Sequence, residues 1–279
     1  MKLNKNSQIL YKNNDKEMIA KTTDLCIAAH HDDIEIMAYG PISKCYNSSS
    51  DWFAGVVITD GANSPRSGVY SDYSNEQMKQ VRIKEQFDAS VIGNYSAQIC
   101  LGYPSTHLYS TSKDQIISDI MEIILKAQPK IIYTHNLADK HKTHVASALL
   151  VLEAIKRLPK DKQPQKVYGL EVWRGLDWLP DTQKVCFDTS KYPNIAKDII
   201  RVYDSQINGG KKYDSAALGR RIANATFFES HNVDTSDSLS YGIDLTPIIT
   251  EEMDCVEFIN NHINMFKDEV NKLLNSILK

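Results

Sequence analysis

Short uninterrupted apolar runs alternate along this chain with stretches whose apolar positions recur every three or four residues. Residues 24–29 (DLCIAA) form the first run, which stops abruptly at His30-His31-Asp32-Asp33. Residues 53–59 (FAGVVIT) form the second, closed by Asp60-Gly61, and 98–103 and 131–134 form two more. Runs this short fit buried strands. Helical patterns lie between them. Ser74 with Gln77 reads as a capping box that opens a helix running to about Val91. Ile116, Ile117, Ile120, Ile123 and Ile124 mark a helix that stops before Pro129. Residues 146–155 continue another, and 216–228 read as one more. Strands alternating with helices predict an α/β fold in three layers, with a mainly parallel sheet between two layers of helix. Such sheets bind ligands beyond the carboxyl ends of their strands. Attention therefore falls on the residues just past Ala29, Thr59 and Thr134.

The last part of the chain reads differently. Thr246-Pro247 has the residues of a helix start, a capping Thr followed by Pro at the first helical position. Apolar residues then recur at Ile249, Met253, Val256, Ile259, Ile263, Phe266, Val270, Leu273 and Ile277, about every 3.5 residues. That is a heptad seam, and Asn260, Asn261, Asn264 and Lys267 leave the opposite face polar. The helix either packs on its own domain or is shared between subunits of a homo-oligomer. The expected organisation is one main domain over 1–245 and a long C-terminal helix over 246–279.

Composition narrows the classes. Lys+Arg 32 against Asp+Glu 35 gives a net charge of −3, the wrong sign for a general nucleic-acid-binding field. No run approaches the length of a bilayer span, so no membrane insertion is expected. The polar N-terminus lacks the apolar centre of a signal peptide. Five cysteines stand far apart without a CxxC pair, which fits reduced thiols and a cytoplasmic location.

Five of the eight histidines fall in two short segments, His30 and His31, then His135, His141 and His144. Asp32 and Asp33 accompany the first, Asp139 the second. Both segments follow predicted strands, so one sheet edge would bring them together. Imidazole nitrogens and carboxylate oxygens suit a divalent first-row metal. An Asp pair at a strand end is costly to bury without a cation or hydrogen bonds.

The segment Ala29-His30-His31-Asp32-Asp33-Ile34-Glu35 resembles the AHPDDxE motif of the PIG-L family, also called LmbE-like. Residues 135–144 (HNLADKHKTH) resemble its second motif, HxxxDxHxxH, Arg82-Ile83-Lys84-Glu85 its RxxE segment, and Thr59-Asp60-Gly61 its turn after a strand. The motif order covers roughly 22–155. The resemblance implies a Rossmann-like α/β/α fold and a zinc-dependent deacetylase acting on an N-acetylated amino sugar or its conjugate. By position it implies His30, Asp33 and His144 as zinc ligands, Asp32 as general base and His141 as electrostatic partner of the oxyanion. His31 stands where the family has Pro, and Thr143 where it commonly has Asp.

These roles are chemically coherent. Three protein ligands leave a fourth zinc position for a water whose pKa falls toward about 7. Asp32 would take its proton, and zinc with a protonated His141 would hold the oxyanion. One Zn2+ per chain is expected, with Fe2+ or another divalent metal as substitutes. His135 and Asp139 would orient the ligands from behind. Arg82 would contact substrate, as the resemblance implies, or merely pair with Glu85 on a helix face. Arg66, in the polar stretch 61–74, is a second substrate-binding candidate. Trp173 and Trp178 lie near Arg174 and form either a sugar-stacking wall or, as expected, core packing or a subunit interface. Residues 229–244 read as a surface loop or a lid. Two alternatives use the same residues, a metal-dependent phosphohydrolase and a non-haem iron oxygenase. The first belongs to helical bundles and the second to β-barrels, neither of which fits alternating α/β.

Overall fold

The fold comes from a computed structural model, which describes residues 1–111 and 113–278. Eight strands form one sheet. They are β1 (Gln8–Tyr11), β2 (Asp24–Ala28), β3 (Phe53–Thr59), β4 (Ala97–Tyr103), β5 (Ile131–His135), β6 (Lys166–Leu170), β7 (Val185–Asp188) and β8 (Leu239–Asp244). The order across the sheet is β1-β4-β3-β2-β5-β6-β8-β7. The five central strands, β4 to β6, are parallel. β1 and β8 run antiparallel to their inner neighbours, and β7 runs antiparallel to β8. The fold is thus the expected three-layer α/β arrangement with a mostly parallel sheet.

The central strands are buried on both faces, which is why they read as unbroken apolar runs. Alternate residues feed two cores. Leu25, Ile27, Val56, Ile58 and Ile99 point to one, where α4 (Lys113–Ala127) and α5 (Lys142–Arg157) pack. Cys26, Ala28, Val57 and Cys100 point to the other. That face carries α1 (Asp33–Met37), α2 (Tyr39–Cys45), α3 (Asn75–Ile92) and α6 (Pro193–Arg201). α3 starts on the capping box read from Ser74 and Gln77. The short α7 (Asp204–Ile207) and α8 (Tyr213–Thr226) complete this side.

Strand order reverses between β2 and β5. From β2 the chain winds outward through β3 and β4, and on the other side through β5 and β6. A crevice opens at such a switch point beyond the strand ends. Thr59 Oγ1 donates to the Ala29 carbonyl and Thr134 Oγ1 to the Ile27 carbonyl, which ties the three strand ends together.

Two regions differ from the sequence expectation. Leu239–Asp244 is a buried strand, so only the first part of 229–244 is a loop. The helix expected from Thr246 is interrupted. α9 (Thr246–Thr250) ends after five residues, with Ile248 and Ile249 in the core. Glu252 adopts a left-handed φ of 55°. α10 (Cys255–Ile277) then starts anew on Asp254, whose carboxylate accepts from the Val256 and Glu257 amides. Thr246 makes no helix cap. Its hydroxyl accepts from the Val167 amide instead. Apolar periodicity continues across this break because both helices have apolar faces, and periodicity does not record the turn between them. Among the described residues no helix is long and apolar enough to cross a membrane.

Candidate metal centre and active-site pocket

Both histidine clusters meet at the switch point. His30 to Asp33 leave the end of β2 and enter α1; His135 ends β5; His141 caps α5 and His144 lies on its first turn. His30 Nδ1 lies 3.2 Å from Asp33 Oδ2 and 3.1 Å from His144 Nε2, and those two atoms are 3.3 Å apart. The three donors form a nearly equilateral triangle. Neighbouring ligands of a tetrahedral zinc, at bond lengths of about 2.0–2.2 Å, stand about 3.4 Å apart, so the donor set fits a divalent ion with little rearrangement.

His135 and His141 also lie within reach. Asp33, His135 and His144 form one compact donor group and His30, His141 and His144 another. The lone pair of His135 Nε2 is already used, because it accepts the Ala29 amide at 2.9 Å. Its ring stacks on that of His144 with centroids 4.0 Å apart. Asp139 Oδ2 stands 3.4 Å from His144 Nδ1, the outer edge of hydrogen bonding. Its Oδ1 accepts the His141 amide, and Oδ2 accepts the Trp173 amide. One carboxylate thus braces the start of α5 and the chain after β6.

Burial sets the electrostatics. His144 resists charge through burial, but the Asp33 and Asp139 carboxylates outweigh this and push it up to about 9. Burial pushes Asp33 up too, but His144 and His135 win and hold it well below the usual range. Burial lowers His135 strongly, and it lowers His141, aided by His144 and His30. That lowering works against protonation of His141. Neutral imidazole still carries one N–H to offer.

Asp32 is held apart from this group. Its φ is +87°, a conformation that side-chain-bearing residues avoid. Three contacts keep it there. Arg82 Nη2 donates to Asp32 Oδ2 at 2.7 Å and also to the His31 carbonyl, and the Asp32 amide donates to Gln86 Oε1 at 3.3 Å. Burial raises Asp32 to about 6, with Arg82 opposing the rise.

Arg82 is fully buried, unlike a helix-face residue. Its guanidinium also donates to Glu85 and to the Ser205 hydroxyl, which joins α3 to α7. Glu35 lies behind, with its carboxylate accepting from Tyr95, Tyr203 and Gln86. Burial raises it to about 7. Gly61 turns the chain after β3 with φ +72°. A Cβ there would sit 3.0 Å from the Arg82 side chain, so only glycine passes.

Above the donor triangle lies a cavity of about 520 Å³. His30, Asp32, Asp33, Arg82 and His141 line it. Arg66 does not. Its Nη2 donates to the Ala62 carbonyl within its own loop and to Asn75 Oδ1 at the start of α3. Trp173 lines the cavity, its ring lying over His141, and also packs against the second core, whereas Trp178 packs against the first. The expectation of core packing therefore holds for both, and Trp173 adds a wall to the cavity. Gln206, Lys211 and Tyr213, from α7 and the start of α8, form a further wall. Nothing in their local sequence marks them. They reach the pocket because α7 packs on α3 and α8 follows it, packing on α6 and β8.

The PIG-L family model, described as GlcNAc-PI de-N-acetylase, matches residues 25–155. Solved structures share the fold. The conserved protein TT1542 from Thermus thermophilus superposes with a TM-score of 0.63 at 16% identity, covering 80% of this chain and 94% of that one. GalB, the 4-carboxy-2-hydroxymuconate hydratase from Pseudomonas putida, gives 0.63 at 18%, covering 84% and 100%. The N,N'-diacetylchitobiose deacetylase from Pyrococcus horikoshii gives 0.61 at 18%, covering 79% and 83%. A hydratase and a deacetylase on one scaffold show that fold alone does not name the reaction. Residues 25–155, the segment that brings both histidine clusters to the switch point, are thus the part of the chain that matches the PIG-L family model.

Proposed function

We propose that this protein is a metal-dependent N-deacetylase that removes an acetyl group from an N-acetylated amino sugar or its conjugate. The observation that carries this reading is the triangle of His30, Asp33 and His144 donors, of which His30 and Asp33 line the cavity with Asp32 beside them. The family description and the chitobiose deacetylase neighbour support the substrate class. Zinc is the proposed metal, because two imidazoles and one carboxylate with an open position form a catalytic zinc donor set.

The chemistry supplied by the ion is acidification of a water and polarisation of the acetyl carbonyl oxygen. This chain's residues do the rest. Arg82 occupies Asp32 Oδ2 and leaves Oδ1 to accept the proton of the attacking water. An N–H of His141 stabilises the developing oxyanion. Asp32 returns the proton to the sugar nitrogen as the C–N bond breaks, releasing acetate and a free amine. Asp139 fixes His144 and the α5 N-terminus, and His135 supports the β2 end. Arg82 acts by positioning Asp32.

The test is metal content of the protein as purified, with acetate release from a panel of N-acetylglucosamine conjugates. About one zinc per chain with acetate release is the expected result. Metal without acetate, but with hydration of an unsaturated carboxylic acid, would assign instead the chemistry named for the hydratase neighbour.

A further inference from the structure

The second half of α10 is poorly suited to stand in water as a lone helix. From residue 263 to 278 every residue is exposed, and Phe258 is the one buried residue of α10. Only the first turns pack, through Cys255, Phe258 and Ile259. A helix segment this short, without tertiary packing, is marginal in water. Yet half of it is apolar: Ile263, Met265, Phe266, Val270, Leu273, Leu274, Ile277 and Leu278 all stand exposed.

We propose that this face binds the same face of a second copy of the chain in a parallel two-stranded coiled coil. The spacing 256, 259, 263, 266, 270, 273, 277 alternates three and four without a slip. In this register the first core position of each heptad is Val256, Ile263, Val270 and Ile277, all β-branched. The second is Ile259, then Phe266 and Leu273. β-Branched residues at the first position with Leu at the second favour two parallel strands. Ile259 is engaged by its own domain, so the shared seam starts at Ile263.

Charge selects the direction. Lys267 and Glu269 flank the core in the middle of the seam. With the strands antiparallel and centred there, Lys267 meets Lys267 and Glu269 meets Glu269 of the second copy. In the parallel pair, Lys267 faces His262 and Glu269 faces Leu274, so neither is set against its own kind. The area is sufficient. Exposures of the five seam residues at 263, 266, 270, 273 and 277 run from 40% to 72%. With Leu274 they amount to on the order of 600 Å² per copy, or about 1,200 Å² for the pair, the lower end of a standard interface. An anionic membrane surface fits less well, because Lys267 and Lys272 are balanced by Asp268 and Glu269.

The experiment is sedimentation equilibrium of the full chain over a concentration series, beside the Ile263→Glu/Val270→Glu variant. The wild type is expected as a dimer at micromolar concentration. The variant is expected as a monomer, with near-ultraviolet circular dichroism and acetate release unchanged, since both positions lie outside the fold's core and the site. Monomeric wild type, or a variant that stays dimeric, overturns the proposal; a monomeric wild type that floats with phosphatidylserine-containing vesicles overturns it in favour of the membrane surface. Ile277→Cys tests direction. Disulfide crosslinking above that of the unsubstituted chain is expected, and its absence in a dimer overturns the parallel arrangement.

Discussion

The switch point between β2 and β5 and the outer half of α10 break the same rule in opposite directions. The first buries Asp32, Asp33, His135, His144 and Arg82. The second leaves Ile263, Phe266, Val270 and Leu273 in water. Buried charge is tolerated at the switch point because each group has a named counterpart: Arg82 faces Asp32 and Glu85, and Asp33 faces His30 and His144. The α10 face has no counterpart in its own chain among the described residues. Misplaced polarity that is compensated internally is where the proposed reaction site lies. Misplaced apolarity that is not compensated is where the proposed second copy binds.

Substitutions in the two regions should therefore differ in kind. Asp32→Asn is expected to keep the metal and the fold and to lower acetate release about a thousand-fold or more, the scale of a lost general base. Metal content and turnover measured on one preparation check this, and normal turnover would remove Asp32 as the base. Arg82→Met leaves Asp32 and Glu85 as uncompensated buried carboxylates, which costs about 3–5 kcal/mol. Chemical denaturation measures that loss, and an unchanged midpoint would mean that the ion pairs contribute nothing net.

Metal uptake should release a proton from His144. Its folded value of about 9 lies above the ordinary 6.5 because Asp33 and Asp139 overcome burial. A metal needs the neutral ring, so affinity should rise with pH until about 9. By the same sign, the metal-free fold gains stability from His144 below about 6.5 and loses it as pH rises through about 9. Calorimetric titration in buffers of different protonation enthalpy reads the released proton. Removal of the Ser74 side chain, Ser74→Ala, should cost about 1 kcal/mol through the lost α3 cap. Smallest of all, Ile263→Glu/Val270→Glu should shift the thermal midpoint of the body hardly at all, because surface changes stay within about 0.5 kcal/mol.

Much of the site is legible in sequence because its residues cluster at strand ends. His30 to Asp33 follow one apolar run, and His135 to His144 follow another. Their surroundings are not legible. Arg82 reads as half of a surface pair with Glu85, yet both point inward, to Asp32 and Ser205. Gln206, Lys211 and Tyr213 come from a segment without any motif. The strands β1, β6, β7 and β8 leave no clear sequence signal because none forms a long apolar run, and β7 alternates half-buried with exposed residues.

Local sequence set the central strands, the α3 cap, the two histidine clusters and the heptad spacing of α10. Each depends on side chains a few residues apart, and the forces that read them are short-ranged. Three features needed the folded chain. Burial raises both Asp32 and Asp33, and their tertiary neighbours decided which is held ionised and which stays raised. Packing of α7 against α3 brought Lys211 to the pocket that Trp173 lines from the chain after β6. The turn at 251–254 decided that the heptad seam leaves the body instead of lying on it. These arise from contacts between residues far apart in sequence, whose energies exist only after the sheet has closed around its switch point.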